Sequence, residues 1–165
     1  MSLYCRLWPV VDVELFARTD SERFSCGLID GPCPQQGWDA RVADPQHGAT
    51  SIFLGVVRNH NAGESAVAVD YDVHPALAQK ALTELCAELT ERFPVKLWMI
   101  HSRGLVQVGE ASVAIAASSA HRRDAITCVS EAIDALKVRV PIWKREIAPD
   151  ASHRWLDGHS LRSDH

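Results

Sequence analysis

ATSIFLGVV (49–57), RNHNAGES (58–65) and AVAVDYDV (66–73) follow one another directly, and their patterns set the fold class. The first is a short apolar, β-branched run, the mark of a buried strand. The second is a polar loop with Asn61 and Gly63 as turn residues. The third alternates: Val67, Val69, Tyr71 and Val73 share one face, and Asp70 and Asp72 the other, as in a half-buried strand. Pro75 then opens a helix, a favoured first-turn position, and Leu77, Ala81, Leu85 and Leu89 recur every fourth residue beside Leu82 and Phe93. Pro94 stops it. VKLWMIHS (95–102) reads as a strand, RGLVQVGE (103–110) as a connection turning at Gly109, and ASVAIAAS (111–118) as a strand of small residues. Ser118 or Ser119 is placed to cap a second helix. That helix runs from about His121 to Arg139 with Ala125, Val129, Ala132, Ile133 and Leu136 on one face, and Pro141 ends it.

Strand, strand, helix, strand, strand, helix and a strand-like tail predict an α+β fold, two main helices on one side of a mainly antiparallel sheet. Working outward, residues 31–48 are rich in Gly and Pro and read as a loop with a short helix at 37–42. Residues 1–22 read as a loosely ordered N-terminal extension, 23–157 as one domain and 158–165 as a polar C-terminal tail. The stretch from Asp150 is polar and carries Trp155 and three histidines.

The 165 residues suffice for one domain with a real core. The hydrophobic share of 47% and charged share of 23% fit a soluble globular protein. At a net charge of -4, no global field favours nucleic acid or an anionic membrane surface. No apolar run is long enough to span a bilayer, and Pro9, Asp12 and Glu14 interrupt the apolar start, which makes a poor signal peptide. Five cysteines, Cys5, Cys26, Cys33, Cys86 and Cys128, form no CxxC pair; Cys26 and Cys33 could pair, but the favoured reading is reduced thiols in a reducing cytosol.

On an acidic chain, an anionic ligand needs a local cationic cluster, and three occur. Arg58-Asn59-His60-Asn61 follows a buried strand. His121-Arg122-Arg123 opens a helix, where the dipole disfavours cations unless they share a bound anion with the free N–H groups. Lys137, Arg139, Lys144 and Arg145 place four cations within nine residues. Lys137 and Arg139 suit a helix C-terminus on dipole grounds alone, so concentration is what points to a site. A lysine pushed toward neutral pKa by neighbouring cations can act as base or nucleophile. GxxxxGK[ST], GxGxxG and HExxH are all absent, and the eight histidines lack ligand spacing. No metal and no cofactor are expected.

At these clusters the chain resembles the large subunit of molybdopterin synthase, the MoaE family. The matching stretches are FLGVVRNHNAGE, the SSAHR turn and LKVRVPIWKRE, within a likeness from about Gly48 to Trp155. The resemblance implies an α/β-hammerhead fold, a central homodimer and, with two small subunits, a heterotetramer in the cytoplasm. It implies a ubiquitin-like sulfur-carrier partner whose C-terminal Gly-Gly thiocarboxylate enters the pocket. The substrate would be cyclic pyranopterin monophosphate and the product the dithiolene of molybdopterin. Lys137 would meet the thiocarboxylate as the main catalytic residue, and Lys144 would bind substrate or aid proton transfer. Arg145 and Glu146 would continue that segment, and Arg58, His121 and Arg122 would line the phosphate and pterin pocket. Arg92 matches an arginine that enters the neighbouring protomer's pocket. Val56 departs from members that carry Lys there.

Two other readings compete. A non-catalytic module could hold a ubiquitin-like partner or an anion, needing charge but not those particular amines. A phosphotransfer or hydrolytic enzyme could use His121, without the usual phosphate-loop or metal signatures.

Overall fold

A computed structural model describes residues 14–61 and 64–156. In chain order the strands and helices are β1 (Ala17–Asp20), β2 (Phe24–Asp30), α1 (Trp38–Arg41), β3 (Ala49–Val56), β4 (His60–Asn61), β5 (Glu64–Ser65), β6 (Ala68–Val73), α2 (Pro75–Arg92), β7 (Val95–Gln107), β8 (Ala111–Ser119), α3 (Arg122–Arg139), β9 (Ile142–Ile147) and β10 (His153–Leu156). The mainly antiparallel α+β arrangement is the expected one, with two long helices and one short.

β7 carries two sets of partners. Its first half pairs antiparallel with β8 and parallel with β2, from Phe24↔Leu97 to Asp30↔Arg103. From Gly104 to Gln107 it pairs with β6, which pairs in turn with β9, and β9 with β10. Gly104 stands at the changeover with φ +76, a conformation that an L side chain adopts only at a cost.

Both faces of the first sheet are covered, which explains its runs of small residues. Leu97 and Met99 of β7 and Val113, Ile115 and Ala117 of β8 face the helices, against Leu82, Leu85 and Leu89 of α2 and Val129, Ala132 and Leu136 of α3. Trp98, Ile100, Ala114 and Ala116 face the other way, against Trp38 and Val42. The Trp38 and Trp98 rings lie 5.0 Å apart. All nine residues of β8 are buried, so alanine there lets Trp38 and α3 approach from opposite sides. A third cluster, Val57, Val69, Tyr71 and Val106, fills the inner face of the second sheet.

Several sequence expectations change. RGLVQVGE is strand as far as Gln107, and only then turns at Gly109, φ +89. Leu77 is 54% exposed; the buried face of α2 runs through Ala78, Leu82, Leu85, Cys86 and Leu89. Neither Ser118 nor Ser119 caps α3. His121 holds that position without a side-chain bond, because Ser119 Oγ donates to the His121 carbonyl and Ser118 Oγ to that of Val42. Phe24–Asp30, for which no element was expected, is β2, and Ala17–Asp20 of the N-terminal stretch is β1, its antiparallel neighbour. Within the polar C-terminal stretch, His153–Leu156 is β10. Residues 1–13, the 62–63 part of the Asn61–Gly63 turn and the 158–165 tail lie outside the described residues.

Two stability outcomes follow. Gly104→Ala should cost about 1–2 kcal/mol through its backbone alone, because an added Cβ meets nothing within 4 Å; chemical denaturation measures it. His101 is buried, and desolvation above all holds its pKa down to about 4 from 6.5, with the Lys144 charge adding to the effect. The folded value lies below the unfolded one, so this contribution is complete above pH 6.5 and is lost as pH falls toward 4. Between pH 7.5 and pH 5 it amounts to about 2 kcal/mol, and His101→Phe should show a correspondingly smaller loss over that interval.

Candidate functional site

Alternation along β9 sorts the KRE segment. Lys144 stands opposite Tyr71 and Glu146 opposite Val69 on the inner face, while Trp143 stands opposite Asp72 and Arg145 opposite Asp70 on the outer face. Lys144 and Arg145 therefore serve different surfaces.

Beneath Lys144 is a buried polar layer. The Tyr71 ring meets the His101 ring edge-on at 5.2 Å, and the Tyr71 phenol lies near Ser112, whose Oγ donates to the Gly55 carbonyl at 3.2 Å. His101 Nδ1 lies 2.7 Å from the Ser102 carbonyl, which requires the proton on that nitrogen. Burial pushes the Tyr71 phenol up and the imidazole down, so both stay neutral at pH 7. Lys144 lies close enough to act on His101 electrostatically. Its own pKa is lowered, by burial first and by the charge of Lys137 second. Desolvation and a like charge both favour the neutral amine.

Lys137 reaches this place from the last turn of α3, where it is exposed. Topology brings Arg58 to the same end. α3 folds back over β8 and β3, and β3 runs antiparallel to β8 with Val56 opposite Ala111. The chain leaving β3 is then pinned to the β7–β8 turn: the Val57 N–H donates to the Glu110 carbonyl at 2.9 Å, and the Gly109 N–H to the Val57 carbonyl at 2.9 Å. Val57 is buried and Arg58 exposed. Lys137, Lys144 and Arg58 therefore gather around one end of the molecule.

The other named residues are elsewhere. His121 and Arg122 are exposed at the first turn of α3, and fifteen residues of helix separate Arg122 from Lys137, about 22 Å. Arg92 is held between the long helices, its Nη2 2.6 Å from Glu131 and its Nη1 3.8 Å from Glu88. Arg145 is ion-paired to Asp70 with Trp155 over its guanidinium, in an outer cleft of about 450 Å³ that also includes Asp30 and Arg103. Glu146 is buried and accepts from Arg154 Nη2 at 2.7 Å, which ties β10 to β9.

Tyr71, His101 and Ser112 escaped the sequence reading. Their signal is faint: a tyrosine on the apolar side of an alternating strand, and one histidine in an apolar run, each an ordinary core residue taken singly. Among the described residues no group of three or more His, Cys, Asp or Glu is arranged to hold a metal ion.

The family model described as MoaE protein matches residues 30–139. The chain is 43% identical over 115 residues to the molybdopterin synthase catalytic subunit of Bos taurus, covering 69% of this chain and 61% of that protein. It is 41% identical over 112 residues to the Homo sapiens protein of that name, covering 67% and 60%, and 34% identical over 144 residues to that of Taeniopygia guttata, covering 86% of each. The match thus spans about three-fifths of the mammalian relatives. The X-ray structure of molybdopterin synthase from Staphylococcus aureus superposes with a TM-score of 0.73 at 30% identity, covering 79% of this chain and 95% of that one. With the fold and most of the chain in agreement, the protein belongs to the MoaE family.

Proposed function

We propose that the chain is the large, catalytic subunit of a molybdopterin synthase. It moves sulfur from the thiocarboxylated C-terminus of a small ubiquitin-like carrier to cyclic pyranopterin monophosphate and so builds the dithiolene of molybdopterin. The observation that carries this reading is the Lys137–Lys144 pair: an exposed cation beside a half-buried lysine of lowered pKa, over the neutral Tyr71–His101 layer.

The two amines divide the work. Lys137, exposed at the pocket rim, meets the incoming thiocarboxylate, an anion that relieves the repulsion between the two lysines. Lys144, whose neutral form is reached at lower pH than for a solvated lysine, binds substrate and moves protons at the carbon under attack. In each transfer a C–S bond forms at a substrate carbon while a C–O bond to that carbon breaks, its oxygen leaving protonated as water or retained on the phosphate, and water then breaks the sulfur's bond to the carrier's carbonyl carbon, leaving a carboxylate on the carrier and the sulfur on the substrate. Arg58 supplies positive charge for the phosphate, His121 and Arg122 are further residues of the phosphate and pterin pocket, and Arg92 reaches it from the neighbouring protomer. Glu146 and Arg145 support the site through the β9–β10 and β6–β9 pairings.

The family domain is placed at 23–157, preceded by the 1–22 extension and followed by the 158–165 tail. Two such chains and two carriers make the working heterotetramer. Free thiols at Cys26, Cys33, Cys86 and Cys128 suit a reducing cytoplasm.

Reconstitution tests this. The purified chain, thiocarboxylated carrier and cyclic pterin phosphate should yield molybdopterin. Lys137→Ala should lower the rate by about 10²-fold or more while still binding the carrier. Folded wild-type chain that binds the carrier and makes no product would replace the enzyme with a binding module.

A further inference from the structure

One face of β9 carries two opposite charges. Lys144 and Glu146 both point inward, on alternate residues of the strand, so their backbones are about 7 Å apart. Extended lysine and glutamate side chains reach across that gap. Glu146 also lies near enough to the Tyr71 phenol to act on it electrostatically, and Tyr71 stands opposite Lys144. The carboxylate nevertheless turns the other way and accepts from Arg154 Nη2 at 2.7 Å. The state of Lys144 is set by burial and by the charge of Lys137, with no contribution from Glu146.

β10 creates this arrangement. Among the described strands it pairs with β9 alone, Arg154 opposite Glu146 and Leu156 opposite Lys144. Directly opposed residues share a face, so Arg154 meets the carboxylate and the half-buried Leu156 lies beside the lysine. Glu146 is 6% exposed, and a carboxylate so buried keeps its charge only beside a cation. Two cations are within its reach, and the one directly across the ladder holds it. Groups on the other elements around Lys144 offer no substitute. Lys137 of α3 is a cation, as is Arg58 beyond β3, and Tyr71 and His101 are neutral at pH 7. Asp70, Asp72 and Arg145 belong to the outer face, and Glu110 of the β7–β8 turn accepts from the Gln107 N–H at 2.8 Å.

We propose that Arg154 is a positioning residue for the reaction: it holds the Glu146 carboxylate away from Lys144 and so leaves that amine to the incoming anion and to proton transfer. β10 thereby serves the site without touching substrate. Without Arg154, the buried carboxylate has Lys144 as the cation within reach on its own strand. Pairing favours the ammonium and raises the lysine pKa, so the neutral amine is reached only at higher pH. The catalytic part rests on the function proposed above; the division of charge between Arg154 and Lys144 does not.

Titration of Lys144 in the full chain, with lysine labelled at Cε and Nζ, reads this division by nuclear magnetic resonance. Arg154→Gln should raise the Lys144 pKa by about one pH unit or more. Adding Glu146→Gln to it should bring the value back to that of wild type. The double variant holds no unpaired buried charge, so it folds and decides the matter even where the single variant does not fold. An unchanged or lower pKa in folded Arg154→Gln would overturn the proposal. So would a raised pKa in the double variant, which would make Arg154 a strut for β10 and nothing more. With carrier and cyclic pterin phosphate, the rising limb of the pH–rate profile should move to higher pH in Arg154→Gln. A limb that stays in place while the pKa rises would overturn the catalytic part. If wild type itself makes no product, the enzymatic reading fails while the titration still decides where the carboxylate goes.

Discussion

A single strand holds the two sheets together. β7 pairs with β2 and β8 along its first half and with β6 along its second, and among the described strands no other is shared in this way. The change of partner at Gly104 sets the second sheet against the end of the first. One end of the molecule thereby collects the exit of β3, the last turn of α3 and the inner face of β9. His101, within the shared strand, and Tyr71, on the β6 strand it leads to, form the neutral layer on which Lys144 rests. The fold serves the site chiefly by fixing this corner.

Electrostatics in the corner run against stability. Lys144 loses hydration by burial and faces a second lysine, with no carboxylate among the causes of its lowered pKa. Other cations are paired with acids. Arg145 has Asp70, Arg154 has Glu146, Arg139 has Glu88 and Arg92 has Glu131. Lys137 and Lys144, in no ion pair among the described residues, suit an anion supplied from outside. Strained or unpaired arrangements of this kind concentrate where function needs them.

Periodicity made both long helices, β3, β6 and β8 legible, because each has one or two apolar faces in a regular pattern. β2 was missed because Cys26, Gly27 and Ser25 dilute its alternation, and its burial comes from being flanked by β1 and β7, a long-range fact. The continuation of β7 was missed because Gly104 reads locally as a turn, although the strand uses its positive φ without ending. Lys137, Lys144 and Arg58 were legible as clusters, and they do converge. The distance between His121–Arg122 and Lys137 was implicit in the length of α3. The split of Lys144 from Arg145 follows from strand alternation, once the segment is known to be a strand. Tyr71 and His101 could be found only through contacts.

The most direct measurement is the titration of the Lys144 amine by nuclear magnetic resonance, with lysine labelled at Cε and Nζ, in wild type and in Lys137→Gln. The expected result is a wild-type pKa below the ordinary 10.5 that moves upward once the neighbouring charge is removed. A wild-type value at or above 10.5, or one indifferent to Lys137, would contradict the coupled pair on which this view of the site depends.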